Sequence, residues 1–275
     1  MRIDGVGRVC QIVCGANHVL ALDSDGTIWS WGCNEQNQLG RRISTRLGSD
    51  AMTPGRIGIR GVKYVASGDY HSFAIDNANN VWAWGLNSFG QAGYPKTAGA
   101  NAALTPYPMK IRKLSRQGIL HLEGGAHHSV ALNQNGECFV WGRMDSGQLG
   151  MQFTNAQLAD PKIIRRDGHG RARICLQPTL LKGVDKLWYV ACGSEHTIFS
   201  SHNGAPYASG SNPQRQLGLG HMNDVHVATR IQGAEIGSHR FGWVGAGGQF
   251  SMIAKPSPQP PINEVAGQYL FTWEL

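Results

Sequence analysis

Residues 125–150 decide the fold, and they read GAHHSVALNQNGECFVWGRMDSGQLG. This stretch has a G-x-x-H start, a turn at Asn135-Gly136, the pair Trp141-Gly142 and a closing Q-L-G. Four copies of this register occur in the chain. In each copy, 13 residues separate the histidine from the Trp or Ser before the internal glycine, and 22 separate it from the closing glycine. Self-similarity at a fixed spacing is typical of a repeat architecture.

The copies are anchored by four histidines, which we call the repeat histidines: His18, His71, His128 and His196. A fifth start carries Phe250 at the histidine position and no W-G pair follows it. Successive repeat histidines are 53, 57 and 68 residues apart, and Phe250 lies 54 residues after the last one. The extra length falls in residues 41–60, 94–118 and 151–182, which we expect to be loop insertions.

Each copy has the pattern of several short strands. In the first copy, Val9–Cys14 and His18–Asp23 are apolar runs, and Thr27–Trp31 alternates between apolar and polar residues. Asp25-Gly26 predicts a hairpin with a type I′ turn, because that turn needs positive φ angles. We expect a fourth strand to end each repeat, at Arg56–Ile59, Tyr107–Ile111, Pro178–Leu181 and Ala228–Ile231.

Four short antiparallel strands in a repeat of about 50 residues match the size of a propeller blade. We therefore predict an all-β fold, a β-propeller of four-stranded antiparallel blades with about four and a half blades in residues 1–254. The 37 glycines among 275 residues suit strands that crowd around a central shaft. Residues 255–275 follow no repeat and begin Pro-rich, so we expect an unstructured or misjoined tail.

Composition excludes several classes of protein. A net charge of +7 suits a protein with an acidic partner or one that works near nucleic acid. Six cysteines without a C-x-x-C pair favour a reducing compartment, and the absence of a long apolar run predicts no membrane span. The sequence contains no P-loop, dinucleotide fingerprint or nucleophile elbow, so we expect neither an enzyme nor a direct small-molecule substrate.

The repeat histidines could suggest a metal site. Equivalent positions in successive blades are spread around a ring, however, and cannot converge on one tetrahedral site. Phe250 also replaces the fifth histidine while the surrounding G-x-x-x-S pattern is kept. We interpret the repeat histidines as structural residues that bond loop backbone inside the blades, and we expect no metal and no cofactor.

The repeat resembles the regulator of chromosome condensation repeat family. Four stretches outside the repeat consensus are similar to its fungal members that exchange nucleotide on the small GTPase Ran. They are residues 37–41 (NQLGR), 62–68 (VKYVASG), 84–91 (WGLNSFGQ) and 169–173 (HGRAR). The resemblance implies a seven-bladed architecture, guanine-nucleotide exchange on Ran, and a nuclear, chromatin-associated protein.

The resemblance also implies site residues. His127, the extra histidine before His128, matches a position implicated in exchange, and Arg41 and Arg143 match basic GTPase-binding positions. Asn17 occupies a GTPase-binding position at which the family usually carries Asp.

Two arginine-rich segments are also candidates. In the family, the segment that corresponds to Arg41, Arg42 and Arg46 approaches histones, which implies a nucleosome contact. The basic run in the third insertion is equally compatible with a solvated face, and it comprises Lys162, Arg165, Arg166, Arg171 and Arg173.

Alternative functions remain open at this point. A propeller of this kind can be a protein-interaction scaffold without exchange activity. The related plant ultraviolet photoreceptor would need tryptophan clusters sandwiched with arginines, whereas Trp29, Trp31, Trp82 and Trp84 follow strand alternation. The resemblance places a wedge loop and another acidic residue of the GTPase-binding face upstream of this chain, so we expect impaired exchange by the 275 residues alone.

Overall fold

The computed structural model describes residues 6–44, 50–100, 103–234, 236 and 239–255. Blade 1 contains β1 (Val9–Cys14), β2 (His18–Asp23), β3 (Ile28–Gly32) and β4 (Gly55–Arg56). Blade 2 contains β5 (Val62–Ser67), β6 (His71–Asp76), β7 (Val81–Leu86) and β8 (Leu104–Lys110). Both blades are antiparallel sheets in sequential strand order.

Blade 3 contains β9 (Ile119–Gly124), β10 (His128–Asn133), β11 (Cys138–Arg143), α1 (Asn155–Ala159), β12 (Ile164–Arg166) and β13 (Ala172–Leu180). Blade 4 contains β14 (Leu187–Cys192), β15 (His196–Ser201), β16 (Pro206–Gly210) and β17 (Val225–Arg230), and a further pair is β18 (Trp243–Ala246) and β19 (Ser251–Ala254). In blade 3, β13 takes the fourth position and β12 adds a fifth strand at its edge.

The first strands of successive blades, β1, β5, β9, β14 and β18, contact one another in turn and form the inner wall. Apolar cores lie between neighbouring blades. Trp84 of blade 2 packs with Leu20 and Ile28 of blade 1, and Phe73 of blade 2 packs with Trp141 of blade 3. The predicted propeller of four-stranded antiparallel blades is confirmed for four blades and two strands of a fifth.

The predicted bounds of β1 and β2 are confirmed, and β3 begins one residue later than expected. The predicted fourth strands overlap the observed ones, but their starts were misplaced. In blades 2 to 4 they begin several residues earlier, and in blade 1 only Gly55–Arg56 pairs with β3. In blades 2 and 4 the fourth strand lies at the outer edge, so exposed side chains such as Tyr107 and Val227 leave little apolar pattern to define its start.

The hairpin at Asp25-Gly26 is confirmed, but its turn type is not. Gly26 has φ +75° and its N–H donates to the carbonyl of Asp23 at 3.0 Å, whereas Asp25 is not in the left-handed region. The turn therefore begins at Asp23, and a type I′ turn at Asp25-Gly26 is wrong. The Asp23 carboxylate explains this, because it accepts the backbone N–H groups of Asp25 and Thr27.

The repeat histidines are buried and make structural bonds, but their partners are side-chain hydroxyls of the next blade and not loop backbone as expected. His71 Nε2 lies 2.8 Å from the hydroxyl of Ser129 in the next blade, and that hydroxyl donates to the carbonyl of Gln91 at 2.9 Å. Because the hydroxyl proton is used on the carbonyl, Nε2–H of the imidazole is the donor. The other repeat histidines bond to hydroxyls in the same way, at Ser72, Thr197 and Ser251.

This arrangement explains the glycine of the G-x-x-H start. A Cβ on Gly125 would lie 2.4 Å from His128 Cε1 and 2.4 Å from the carbonyl of Gly193. Both distances are shorter than real contacts allow, so any side chain would displace the imidazole or separate the blades.

The third insertion forms α1 and the β12–β13 hairpin. Thr154 caps α1 through a capping box with Gln157. Residues 256–275 lie outside the described residues, so the unstructured tail stays a prediction. No helix in the described ranges is long and apolar enough to cross a membrane.

Candidate functional site

The residues immediately before the repeat histidines lie at the same end of every blade. Their carbonyls accept the N–H of the residue after the W-G or S-G pair, as between His127 and Arg143 at 2.9 Å. The corresponding residues in the other blades are Asn17, Tyr70 and Glu195. One face of the propeller therefore presents these side chains around the mouth of the shaft.

Four side chains from blades 3 and 4 form a connected group on this face, which we call the His127 cluster: His127, Arg143, Gln148 and Glu195. Glu195 Oε1 lies 2.9 Å from His127 Nδ1 and 3.1 Å from an Arg143 terminal nitrogen. Gln148 Nε2 donates to Glu195 Oε2 at 2.5 Å. The carboxylate thus accepts from three side chains and joins the two blades.

Electrostatics stabilise the ionised carboxylate. Burial alone would raise the pKa of Glu195, but the hydrogen bonds from His127 and Gln148 and the charge of Arg143 lower the pKa to about 2. The side chains of His127, Arg143 and Glu195 are each 26% exposed. The cluster is consequently preorganised, and a partner protein can still reach it.

Phe89 connects the cluster to blade 2. The Phe89 ring centroid lies 4.7 Å from the ring centroid of His127. The guanidinium carbons of Arg143 and Arg173 lie 5.3 and 5.0 Å from the Phe89 centroid. Arg143 Nε also pairs with Asp145 at 2.6 Å. The aromatic ring thus fixes two arginines beside the imidazole.

A second acidic residue lies near the shaft. The Ser194 hydroxyl of blade 4 donates to Asp69 Oδ2 of blade 2 at 3.2 Å. Burial raises the pKa of Asp69, although the bond from Ser194 and the nearby His127 act in the opposite direction. The face therefore combines acidic and basic groups within three blades.

The structure brings together His127 and Arg143 but not the other expected GTPase-binding residues. Asn17 is exposed on blade 1, and within the described residues it makes no hydrogen bond to the His127 cluster. Arg41 donates to the backbone carbonyls of Ser30, Asp50 and Thr53 at 2.7 to 3.1 Å. Arg41 therefore anchors the first insertion to its own blade.

The expected histone-contacting arginines differ in environment. Arg42 is exposed next to the half-buried Arg41. Arg46 lies outside the described residues.

Sequence reasoning missed Glu195, Phe89 and Asp69. Glu195 had a signal, because it directly precedes His196 as His127 precedes His128. The hydroxyl partners of the repeat histidines also had a sequence signal, since a Ser or Thr directly follows the second, third and fourth repeat histidines. Phe89 and Asp69 lie in loops whose course depends on blade packing.

Metal ligation has no support from the geometry. Among the residues the structure describes, no group of three or more His, Cys, Asp or Glu side chains could hold a metal ion. Each repeat histidine uses Nε2 on a hydroxyl, and its buried Nδ1 has no hydrogen-bond partner among the described residues.

Known proteins match most of the chain. The guanine nucleotide exchange factor SRM1 of Saccharomyces cerevisiae is 36% identical over 246 residues, which cover 89% of this chain and 50% of SRM1. The protein pim1 of Schizosaccharomyces pombe is 33% identical over 265 residues, which cover 95% of this chain and 48% of pim1. The chain thus spans about half the length of the curated relatives it matches.

A solved structure agrees with these relatives. The crystal structure of Prp20p from Saccharomyces cerevisiae, a protein studied for its binding to Gsp1p and histones, superposes with a TM-score of 0.83 at 36% identity. The match covers 91% of this chain and 57% of Prp20p. The family model of the RCC1-like domain matches residues 1–253. With its four blades, its repeat register and these matches, the chain belongs to the RCC1-like domain family.

Proposed function

We propose that this chain forms the GTPase-binding face of a guanine-nucleotide exchange factor for Ran. In this proposal His127 and Arg143 contact the GTPase, and Glu195 positions both side chains. The observation that carries the proposal is the His127 cluster, in which one carboxylate orients an imidazole and a guanidinium at an accessible shaft mouth. The likeness to SRM1, a named exchange factor, supports the same activity.

Exchange requires no bond to be broken. A factor that binds the nucleotide-free GTPase more tightly than the loaded form lowers the affinity of the GTPase for nucleotide by the same ratio. A ten-thousand-fold preference corresponds to about 5.5 kcal/mol, which is enough to reverse a strongly one-sided equilibrium. The His127 cluster therefore acts by binding the nucleotide-free state of the GTPase more tightly than the loaded state.

Binding measurements test this proposal. Isothermal titration of the chain with nucleotide-free Ran should show an interaction that His127→Ala and Arg143→Ala weaken about tenfold each. The exposed Arg112, which lies in the loop after β8, provides the control variant Arg112→Ala. Equal loss from all three variants would contradict a localised face, and tight binding without accelerated GDP release would favour the interaction scaffold.

We further propose that the protein works in the nucleus and contacts histones through its first insertion. Prp20p, which is similar to this chain, is studied for histone binding. The exposed guanidinium of Arg42 would carry this contact, with Arg46, whereas Arg41 acts through the loop conformation that it stabilises. Nucleosome binding that weakens with added salt and with Arg42→Glu supports this contact, and binding unchanged by Arg42→Glu contradicts it.

A further inference from the structure

The β12–β13 hairpin of the third insertion carries basic residues to the same face as the His127 cluster. Arg143 pairs with Ile174 of the hairpin, and Met144 N–H donates to the carbonyl of Arg173 at 3.1 Å. The hairpin and the loop after β7 line an open cleft of about 460 Å³. We call this cleft the basic groove, and its lining includes Phe89, Gly99, Arg165, Arg166, Arg173 and Ile174.

Most charged side chains that line the groove already have hydrogen-bond or ion-pair partners. Its one carboxylate, Asp167, already accepts Arg171 Nε at 2.8 Å and two backbone N–H groups. Arg166 donates to the carbonyls of Leu158 and Gly170. Arg173 Nε pairs with Asp145 Oδ2 at 3.6 Å. The acidic and basic groups named here are therefore committed to contacts within blade 3.

Arg165 differs from its neighbours. Within the described ranges its guanidinium makes no hydrogen bond and no ion pair, although the residue is half-buried. A Cβ placed on Gly99 would lie 2.7 Å from Arg165 Cδ, so the side chain is packed tightly against the opposite loop. A guanidinium without a counter-charge is free to pair with a carboxylate of a partner.

The geometry points to an acidic protein segment as the occupant. We propose that the basic groove binds a glutamate- or aspartate-rich stretch of a partner protein, with one of its carboxylates on Arg165. Guanidinium groups suit carboxylates because they present two parallel donors. Two guanidinium groups already lie over the Phe89 ring, which leaves little of it for a nucleic-acid base to stack on.

A labelled peptide tests the groove independently of exchange activity. Fluorescence anisotropy with a fluorescein-labelled octaglutamate peptide should show binding that Arg165→Glu weakens at least tenfold. Arg112→Glu makes the same charge change outside the groove and should alter the affinity less than twofold, which separates the groove from the general attraction of a chain with net charge +7. Arg165→Met keeps the apolar stem and tests charge alone if Arg165→Glu lowers the melting temperature.

The controls decide between the groove and its alternatives. An octaglutamine peptide should not bind. Unchanged octaglutamate affinity in Arg165→Glu and Arg165→Met would overturn the proposal. An octathymidylate strand that competes more strongly than octaglutamate would also overturn it, because the occupant would then be a nucleic acid.

Discussion

His127 Nδ1 and Glu195 Oε1 lie 2.9 Å apart although the two residues belong to neighbouring blades. The same carboxylate holds Arg143 and Gln148, so the orientation of the His127 cluster depends on how blades 3 and 4 pack. Residues that act through such a carboxylate are sensitive to its loss even where the partner never touches it.

Removing the Glu195 carboxylate should therefore weaken binding to nucleotide-free Ran. We expect Glu195→Ala to lower the affinity about tenfold, equivalent to about 1.4 kcal/mol, because His127 and Arg143 lose their common acceptor. Glu137→Ala, which removes an exposed carboxylate at the opposite end of blade 3, is the matched control. Isothermal titration measures both, and wild-type affinity in Glu195→Ala would show that His127 needs no positioning.

Removing the hydroxyl of two buried serines should have different effects on the free energy of unfolding. Ser129 accepts from His71 and donates to the Gln91 carbonyl, so Ser129→Ala should lower the free energy of unfolding by about 1 to 3 kcal/mol. Ser209 is equally buried, but its hydroxyl has no partner within the described residues. Ser209→Ala should leave stability unchanged or raise it slightly, since no bond is lost.

Urea denaturation of both serine variants checks this prediction. Equal destabilisation by Ser129→Ala and Ser209→Ala would mean that burial, and not the bond between blades, determines the cost.

Stability should fall as the solution is acidified from about pH 6.5 towards pH 4. Burial lowers the pKa of three repeat histidines to about 4 and holds that of His71 well below its ordinary value. Below pH 6.5 the unfolded chain takes up protons that the folded chain excludes, so each histidine costs up to about 1.4 kcal/mol per pH unit. Well above pH 6.5 these histidines are neutral in both the folded and the unfolded chain, so this penalty is absent.

Two further groups modify this trend. Burial lowers the pKa of His121 to about 4, which adds to the loss. Burial raises the pKa of Glu123 to about 8, so this single group favours folding as the pH falls and opposes the histidines. Urea titrations at pH 7.5, 6.5 and 5.5 measure the sum, and stability that rises towards pH 5.5 would contradict the neutral histidines.

Substitutions of Arg41 and Arg42 should differ in their effect on stability. Arg41→Ala removes the donors that hold the carbonyls of Ser30 and Asp50, so we expect a lower melting temperature and a loss of about 1 to 3 kcal/mol. Arg42→Ala removes an exposed side chain and should change stability by less than about 0.5 kcal/mol. Differential scanning calorimetry compares them, and equal melting temperatures would refute the structural role of Arg41.

Much of the fold followed from spacing, because a 13-residue and a 22-residue step repeated four times leave few architectures possible. The first two strands were predicted to the residue because both have continuous apolar runs. The start of the fourth strand β17 was misplaced, because Ala228 is the only buried residue of that strand and its other residues show no apolar pattern. The turn at Asp23 was misassigned because a side chain, not the Asp-Gly pair, determines where the turn begins.

The site was only partly predictable. The doubled histidine marked His127, and the same positional rule applied to Glu195 would have found its partner. No spacing rule could place Phe89 beside His127, because the loop after β7 reaches blade 3 only through packing. Arg41 matched a binding position, yet its contacts depend on how the first insertion folds back on β3.

Release of fluorescent GDP from Ran tests the central claim most directly. Stopped-flow traces of Ran loaded with mant-GDP, mixed with excess unlabelled GDP, should show release that the chain accelerates over Ran alone, but only weakly, because we expect impaired exchange by the 275 residues alone. His127→Ala should abolish most of that acceleration while circular dichroism shows an unchanged fold, and Arg112→Ala should retain it. Release by the wild-type chain no faster than that of Ran alone, or full acceleration by His127→Ala, would contradict the account.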